Sequence, residues 1–433
     1  MRPAPKLLFA DPSGRVMEHP RLLAALRHGE DLVPPQGTRI PLPEGARLAH
    51  LPGRLPVGID PETGELELLR EMTVGARTFV PHAVGALLPP GYTRTFLPGE
   101  VKADGPILPQ WAYTAAAWEG DGPVVWALHT DRRTHWDPSS RLPLPKLKAK
   151  VEAHLERFPD SGAVKQLKTC ALVYGCLTAQ NLFYEKDEGA IPVSTFCNAA
   201  CVGCISDQPE DGPPASHERM DAGPSAEEMG RIGLHHLERA GGRTMVSFGQ
   251  GCEGEPLTRW KQIAQAIRYM RERTDRGSIN INTNASLTRG LEALFDAGLD
   301  AVRVSLNSAN RDLYEAYYRP TGYGWEDVER SIGVAREKGG YLALNLLMFP
   351  GVTDREGEVE ALCRLIEKYQ VDQVQTRSLA IDPIQYLDVA RDRGAGGEAM
   401  GVEDMLRAFR KARPKLVIGN FARGRDERGG RAA

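Results

Sequence analysis

The sequence lacks the features that would direct it to a membrane or to a polyanionic partner. No apolar run reaches the roughly 18 residues that a membrane-spanning helix needs. The formal net charge is only −3, which argues against broad affinity for nucleic acid. The first residues, MRPAPKLLFADPSGR, contain no apolar core of signal-peptide length. We therefore expect a cytoplasmic protein without a membrane or nucleic-acid partner.

Cysteine is scarce, and its distribution does not predict a disulfide framework. The chain has seven cysteines, and three of them, Cys197, Cys201 and Cys204, fall within the stretch STFCNAACVGCISDQ. In a reducing compartment, such a cluster more often binds a metal or takes part in catalysis.

The composition predicts four regions. Residues 1–145 are rich in proline and in short apolar runs, which indicates a small, loop-rich β domain of unknown role. Residues 146–189 have a helical pattern and form a predicted connector. Residues 190–390 alternate short apolar runs with amphipathic stretches. Residues 391–433 are predicted to form a helix or strand followed by a charged, flexible tail.

The alternation in residues 190–390 predicts parallel strands covered by helices. Six candidate strands are present: AIPVSTF, TMVSFGQG, SININTNA, AVRVSLNS, YLALNLLMF and DQVQTRSL. The predicted fold class is therefore α/β, a partial (β/α)6 TIM-like barrel preceded by the small β domain. In such folds the chemistry gathers at the C-terminal ends of the strands, where most of the polar motifs of this sequence lie.

The three clustered cysteines directly follow the first of these strands. A structural zinc site normally needs a fourth ligand, and the dozen residues after Cys204 supply no cysteine or histidine. A 4Fe-4S cluster held by three thiolates would instead leave one iron open for a small ligand. A zinc site, or three simply buried cysteines, remains the alternative interpretation.

The spacing of three residues and then two between these cysteines resembles the hallmark of the radical S-adenosylmethionine (SAM) superfamily. The resemblance covers about residues 190–390. It implies a 4Fe-4S cluster on Cys197, Cys201 and Cys204, with SAM bound to the open iron. It also implies reductive cleavage of SAM to methionine and a 5′-deoxyadenosyl radical that abstracts hydrogen from a small-molecule or peptide substrate. A reductant such as flavodoxin or ferredoxin would then be a partner.

Further motifs are similar to the SAM-binding elements of that family. Gly254, Glu255 and Pro256 in GQGCEGEPL resemble the element that contacts the SAM amine, and a carboxylate suits an ammonium-like group. The resemblance assigns four more residues to SAM binding, at the ends of the third and fourth strands: Thr283 and Asn284, and Ser305 and Asn307. Because Ser305 and Asn307 are two residues apart, we expect both on one face of the strand.

The sequence departs from the family pattern at three places. Gly203 stands where members usually carry an aromatic residue that packs on the adenine, so this contact must come from elsewhere. Ala285 replaces a glycine. The glycine motif of the fifth strand is only partly recognisable, with Gly351 and Asp354 as its candidates.

The remaining cysteines and several polar residues are candidates for other roles. Cys252, within GQGCEGEP, is predicted to face the barrel mouth, where a structural thiol is the favoured interpretation and a catalytic thiol or ligand is the alternative. Cys170, Cys176 and Cys363 are predicted to pack in the core. Arg377 is a candidate catalytic or substrate-binding residue because its guanidinium could hold a carboxylate or phosphate, although a structural ion pair is equally consistent. Other substrate candidates lie near strand ends: Gln250, Asn345 and Gln375.

Three functions are compatible with these motifs. The first is a radical SAM enzyme that acts by hydrogen abstraction. The second is an RNA-modifying methyltransferase of the same superfamily, since GEPL also occurs in that branch. That branch needs a cysteine close to the chain end, whereas the last cysteine here is Cys363. The third is a non-catalytic iron–sulfur protein, which would not need the SAM-binding motifs.

Overall fold

The computed structural model of the protein describes residues 4–133, 143–210, 212–241, 243–250 and 252–425. It contains a large antiparallel sheet followed by a parallel sheet, with three helices between them. Of the tail predicted over residues 391–433, the last eight residues lie outside the described part of the chain.

Short strands make up the described part of the N-terminal region. In chain order they are Lys6–Ala10 (β1), Val16–Ala24 (β2), Leu26–His28 (β3), Asp31–Val33 (β4), Ile40–Pro41 (β5), Arg47–Leu51 (β6), Arg54–Ile59 (β7), Leu66–Leu68 (β8), Met72–Val74 (β9), Arg77–Phe79 (β10), His82–Leu87 (β11), Tyr92–Arg94 (β12), Leu97–Pro98 (β13), Glu100–Lys102 (β14), Tyr113–Glu119 (β15), Gly122–Val125 (β16) and Ala127–His129 (β17).

Ten of these strands form one antiparallel sheet. Its main order is β14-β7-β2-β1-β11-β15-β16-β5, with β6 paired to β11 and β8 paired to β7. The turn DPETGE connects β7 and β8, and Gly64 there adopts a positive φ of 76° while its N–H donates to the carbonyl of Asp60. Trp126 is fully buried and donates its indole N–H to the carbonyl of Gln36 at 2.7 Å, which satisfies the polar atom of this core residue.

Helices and parallel strands alternate in the rest of the chain. The helices are Leu144–Arg157 (α1), Gly162–Leu172 (α2), Leu177–Tyr184 (α3), Ala226–Arg239 (α4), Trp260–Arg271 (α5), Thr288–Asp296 (α6), Arg311–Tyr318 (α7), Trp325–Glu337 (α8), Glu356–Lys368 (α9), Pro383–Ala390 (α10) and Val402–Ala412 (α11), with a 3₁₀ turn at Pro256–Arg259. The strands are Glu188–Ile191 (β18), Met245–Phe248 (β19), Ser278–Thr283 (β20), Ala301–Leu306 (β21), Tyr341–Met348 (β22), Gln373–Ser378 (β23) and Val417–Gly419 (β24).

The parallel strands follow one another in the sheet in chain order, from β18 to β24. The predicted partial α/β barrel is therefore confirmed, and its sheet has a seventh strand, β24, beyond the six candidates. Helix α11 shows why the covering helices form, since Val402, Met405, Leu406 and Phe409 recur at helical spacing and are all buried. None of the helices in the described ranges is long and apolar enough to cross a membrane.

The register of the parallel sheet places polar residues side by side. Ser305 on β21 pairs with Asn345 on β22, and Asn345 pairs with Gln375 on β23. On the first strands, Ser247 of β19 pairs with Asn280 of β20. Since neighbouring residues in register share one face of a sheet, each of these pairings places polar side chains next to each other, at two different levels along the strands.

The N-terminal sheet packs against the C-terminal ends of β22 and β23 through buried polar contacts. Arg54 is completely buried and pairs with Asp382, whose carboxylate also accepts the N–H of Leu108 at 2.8 Å. Arg94 joins the two regions by donating to the carbonyls of Tyr113 at 2.9 Å and Leu379 at 2.8 Å. The two parts of the chain therefore share one interior, and neither is a loosely tethered module.

This interface also contains the two residues proposed for the fifth-strand glycine motif. The Asp354 carboxylate binds Nε2 of His28 at 2.7 Å and accepts the N–H of Gly351 at 2.6 Å. A Cβ atom on Gly351 would lie 1.9 Å from the backbone nitrogen of Gly29. The structure therefore places Gly351 and Asp354 at the contact between the N-terminal region and the barrel, outside the wall of the cavity described below.

Candidate active site

The C-terminal ends of the parallel strands open onto a cavity of about 560 Å³, a size typical of small-molecule sites. Most of the residues predicted to bind a cluster or SAM line this cavity: Cys197, Cys201, Cys204, Gly254, Glu255, Pro256, Thr283, Asn284 and Ser305. The substrate candidates Gln250, Asn345 and Arg377 line it as well. Of the described residues predicted for the site, Cys252, Asn307 and Gln375 are not part of its wall.

The three clustered cysteines lie on the loop after β18, and none of them forms a disulfide. Burial raises the pKa of Cys197 to about 11 and raises that of Cys201 well above its usual value. Arg219 places a guanidinium nitrogen 3.9 Å from the sulfur of Cys204. A group of buried thiols needs a positively charged partner to ionise, and metal ions supply that charge.

Gly254 lets the Gly-Glu-Pro segment lie directly against the cysteine loop. The N–H of Gly254 donates to the carbonyl of Ser194 at 2.8 Å, and the N–H of Glu255 donates to the carbonyl of Phe196 at 2.8 Å. A Cβ atom on Gly254 would lie 2.0 Å from the carbonyl oxygen of Phe196. Only glycine permits this approach, so Gly254 sets the distance between the two loops.

Glu253 is a site residue that sequence reasoning missed. Its carboxylate accepts the N–H of Ser194 at 2.7 Å and that of Gln250 at 2.8 Å, and also that of Val193. Burial raises its pKa to about 8, although these three donors act against the shift. Glu253 thus holds the loops after β18 and β19 together from the side opposite to Gly254. The only sequence signal was a second acidic residue beside Glu255.

Glu255 connects the Gly-Glu-Pro segment to the end of β20. Its carboxylate accepts the N–H of Asn284 at 2.8 Å, the N–H of Leu257 at 2.9 Å and the hydroxyl of Thr283. Burial raises the pKa of Glu255 to about 7. Two oxygens with about four lone-pair positions still leave one free acceptor site after these three bonds. The prediction that Glu255, Thr283 and Asn284 belong to one site agrees with this geometry.

The expectation that Ser305 and Asn307 share one face was wrong. Strand β21 ends at Leu306, so the alternation that places residues i and i+2 together stops before Asn307. The Asn307 amide instead donates to the carbonyl of Leu313 at 3.3 Å and to the hydroxyl of Tyr386 at 3.2 Å. Ser305 remains in the cavity wall.

Cys252 does not face the barrel mouth as predicted. It is buried, and its sulfur lies 3.9 Å from that of Cys170 on α2, behind the cavity wall. The turn before Gly254 directs the Cys252 side chain towards the helical connector, a direction that the small neighbouring residues could not reveal. Cys170 is buried as expected, and Cys176 and Cys363 pack half-buried against the core.

An aromatic residue lies beside Gly203, although the sequence has none at that position. A Cβ atom on Gly203 would lie 2.7 Å from the hydroxyl of Tyr317 on α7. The backbone carbonyl of Tyr317 accepts the N–H of Val202 at 3.0 Å, and Tyr317 is one of the residues that line the cavity. The aromatic-rich stretch LYEAYYRPTGYGW was the only sequence signal for this contact.

Two arginines line the cavity, Arg303 from β21 and Arg377 from β23, with β22 between them in the sheet. Arg303 pairs with Glu188 at 3.0 Å, and Glu188 also accepts the hydroxyl of Ser247 at 2.6 Å. Arg377 has no carboxylate within ion-pair distance in the part of the chain that the structure describes, and its guanidinium lies 3.3 Å from the side chain of Gln375. Burial lowers the pKa of Arg377 to about 10, so it stays charged at neutral pH.

Comparisons with known proteins agree with this site. The family model described as the radical SAM superfamily matches residues 191–365. The chain is similar to GTP 3′,8-cyclase of Listeria monocytogenes serotype 4b, with 33% identity over 38% of this chain and 46% of that protein. It is also similar to molybdenum cofactor biosynthesis protein 1 of Drosophila melanogaster, with 26% identity over 52% of this chain and 36% of that protein. In both cases the match spans less than half of the relative's length.

Among solved structures, a methylornithine synthase aligns with 64% of this chain and 72% of its own, at 14% identity and a TM-score of 0.37. The family match spans β18 to α9 and includes the cysteine loop, the Gly-Glu-Pro segment and the ends of β20 and β21. Residues 191–365 of the chain are therefore similar to the radical SAM superfamily.

Proposed function

We propose that the protein is a radical SAM enzyme that abstracts a hydrogen atom from a small, anionic substrate. The observation that carries this proposal is one cavity that contains the three cysteines, the Gly-Glu-Pro segment and the guanidinium of Arg377. When bound, the 4Fe-4S cluster and SAM of this superfamily would supply the 5′-deoxyadenosyl radical as the hydrogen acceptor.

Each part of the bound groups has a matching partner among the residues of this chain. Cys197, Cys201 and Cys204 would hold the cluster. The free acceptor position of Glu255 suits the amino group of SAM. Tyr317 would offer an aromatic face to the adenine, in place of the residue missing at Gly203.

The charge of the cavity supports an anionic substrate. Glu188 pairs with Arg303, and no carboxylate among the described residues lies within ion-pair distance of the buried cation of Arg377. A guanidinium in a low-dielectric site is costly unless it binds an anion, and its planar fork fits phosphate and carboxylate equally. Because the curated relatives carry the name GTP 3′,8-cyclase, GTP is the first substrate to test, followed by carboxylic acids.

Two other functions have less support. An RNA-modifying methyltransferase would need a cysteine at the site late in the chain, whereas Cys363 lies half-buried on α9 and outside the cavity wall. A non-catalytic iron–sulfur protein would not need the acceptor position of Glu255 or the charge of Arg377. A small electron-transfer protein such as flavodoxin or ferredoxin remains the proposed reductant.

The direct test is anaerobic incubation of the reconstituted protein with SAM, a chemical reductant and GTP or a pool of small organic acids. We expect 5′-deoxyadenosine and methionine as products, with faster release when the substrate is present. Formation of S-adenosylhomocysteine alone would favour the methyltransferase. The absence of any SAM cleavage by cluster-loaded protein would contradict the proposal.

Replacing Arg377 tests the substrate site. Arg377→Gln should raise the KM for the anionic substrate roughly 30-fold or more, since losing one partner of a desolvated charge pair costs about 2 kcal/mol or more. Slow SAM cleavage without substrate should not change. Arg407→Gln on the exposed face of α11 is the matched control. An unchanged KM in Arg377→Gln would assign Arg377 to structure alone.

Replacing Tyr317 tests the adenine contact. Tyr317→Leu should weaken SAM binding about 10-fold, because stacking of one base on an aromatic ring contributes about 1–3 kcal/mol. Tyr317→Phe keeps the ring and should bind SAM as the unmodified protein does. Iron content, measured in parallel, should be the same in both variants. Equal SAM affinity in Tyr317→Leu would show that the adenine lies elsewhere.

A further inference from the structure

Three metal-binding side chains meet outside the cavity, between the helical connector and the first helix of the partial barrel. His154 comes from α1, Glu185 follows the end of α3, and His235 lies on α4. One ring nitrogen of each histidine and one carboxylate oxygen of Glu185 all lie within 4.8 Å of one another. Nε2 of His235 is 3.0 Å from Oε1 of Glu185.

The hydrogen bonding of His154 leaves one ring nitrogen free. Its Nδ1 lies 2.9 Å from the backbone carbonyl of Lys150, which can only accept, so Nδ1 carries the proton and donates it. Nε2 therefore presents a lone pair, yet it is buried and has no hydrogen-bond partner in the structure. His154 itself is only 5% exposed. Metal-binding histidines in proteins are oriented in the same way, with the second nitrogen donating to a carbonyl or carboxylate.

The three side chains supply two imidazoles and one carboxylate, which is the donor set of many zinc sites.

Glu185 has a backbone conformation that is unfavourable for a glutamate. Glu185 ends α3 in the left-handed conformation, with φ of 56°, and its N–H donates to the carbonyls of Asn181 and Leu182. Glycine adopts this left-handed conformation without strain, whereas any other residue there costs roughly 1 kcal/mol or more of conformational free energy. A glutamate here keeps the carboxylate beside both histidines at that cost.

The surroundings of the two histidines and Glu185 can accept a divalent cation. Phe183 packs edge-on against His154, and Phe158 packs edge-on against His235, so aromatic rings enclose two sides. Among the described residues, Glu185 has two basic side chains within ion-pair distance. One is His235 itself, and the other is Arg239 at 3.5 Å. Its side chain is 63% exposed and can turn into solvent when a metal binds.

From these contacts we propose that His154, Glu185 and His235 bind one zinc ion, with water as the fourth ligand. The imidazole nitrogens select a transition metal over calcium or magnesium. The ion would join α1 and the end of α3 to α4, and so fasten the connector to the barrel. This site is separate from the iron–sulfur site, since none of its three residues lines the cavity.

The test uses the anaerobically reconstituted, iron-loaded protein, dialysed against micromolar zinc and then analysed for zinc and iron. We expect one zinc per chain in addition to the iron, and X-ray absorption with only nitrogen and oxygen neighbours at about 2.0 Å. Zinc affinity should fall by more than about 10-fold in His154→Ala and in the near-isosteric Glu185→Gln, with the iron content unchanged. His50→Ala, in the N-terminal sheet, is the matched histidine control.

Several outcomes would overturn this assignment. One is the absence of stoichiometric zinc in the unmodified protein. Another is sulfur at about 2.3 Å around the zinc, which would place the ion on cysteines. A third is equal zinc affinity in Glu185→Gln and the unmodified protein. Because zinc and iron are analysed in the same samples and SAM cleavage is measured in its own assay, failure of the zinc site and failure of the proposed catalytic function would be distinguished.

Discussion

Three single variants, Cys197→Ala, Cys201→Ala and Cys204→Ala, should each lose the iron–sulfur cluster completely. The unmodified protein, reconstituted without oxygen, should contain about four irons per chain and a reducible chromophore. Each variant should lose that chromophore and all SAM cleavage, because the three thiols share one loop and one cavity and no fourth cysteine lines that cavity among the described residues. Iron analysis and visible absorption spectroscopy measure the effect.

Cys363→Ala provides the control for these variants. Cys363 is half-buried on α9, outside the cavity, so its loss should leave the iron content unchanged. One zinc ion in place of iron on the clustered cysteines would contradict the cluster assignment. So would a variant that keeps its full iron content.

Gly254→Ala should reduce SAM cleavage by about 100-fold or more. The added methyl group would overlap the carbonyl of Phe196, which leads directly into Cys197, so the two loops must separate. A shift of about 1 Å in an active site can cost a factor of about 100 in rate. Overpacking should also lower the free energy of unfolding by about 1–3 kcal/mol. Product analysis and thermal unfolding measure the two effects separately.

Gly162→Ala is the matched glycine control, because a Cβ atom there has no atom within 4 Å. It should leave SAM cleavage unchanged and should slightly stabilise α2, since alanine is the better helix former. If Gly254→Ala cleaved SAM at the normal rate, the close contact between the two loops would have no role in positioning.

The parts of the site that could be predicted from sequence depend on local spacing. Cys197, Cys201 and Cys204 lie on one short loop, so their proximity follows from their positions in the chain. Gly254 and Glu255 follow a buried strand directly, and parallel strands bring such ends to one edge of the sheet. The same argument placed Thr283, Asn284, Ser305 and Arg377 correctly in the cavity wall.

The parts that could not be predicted depend on contacts between distant segments or on the end of an element. Tyr317 reaches Gly203 across more than a hundred residues, and no pattern in the sequence encodes that approach. Asn307 was misplaced because β21 ends one residue earlier than the alternation assumed. Strand β24 is only three residues long, too short to show a periodic pattern.

The buried contact between Arg54 and Asp382 has a consequence for the synthesis of the protein. The two residues are separated by 328 positions. At about 5–20 residues per second, a ribosome needs roughly 16–66 s to make Asp382 after Arg54. Throughout that interval the buried guanidinium of Arg54 has, among the described residues, only the more distant carboxylate of Glu100, at 3.9 Å on β14, as its anionic partner. The interior of the N-terminal sheet is therefore incomplete until the last hundred residues of the chain have been made. A nascent chain stalled before Asp382 should be an early target for chaperones and proteases.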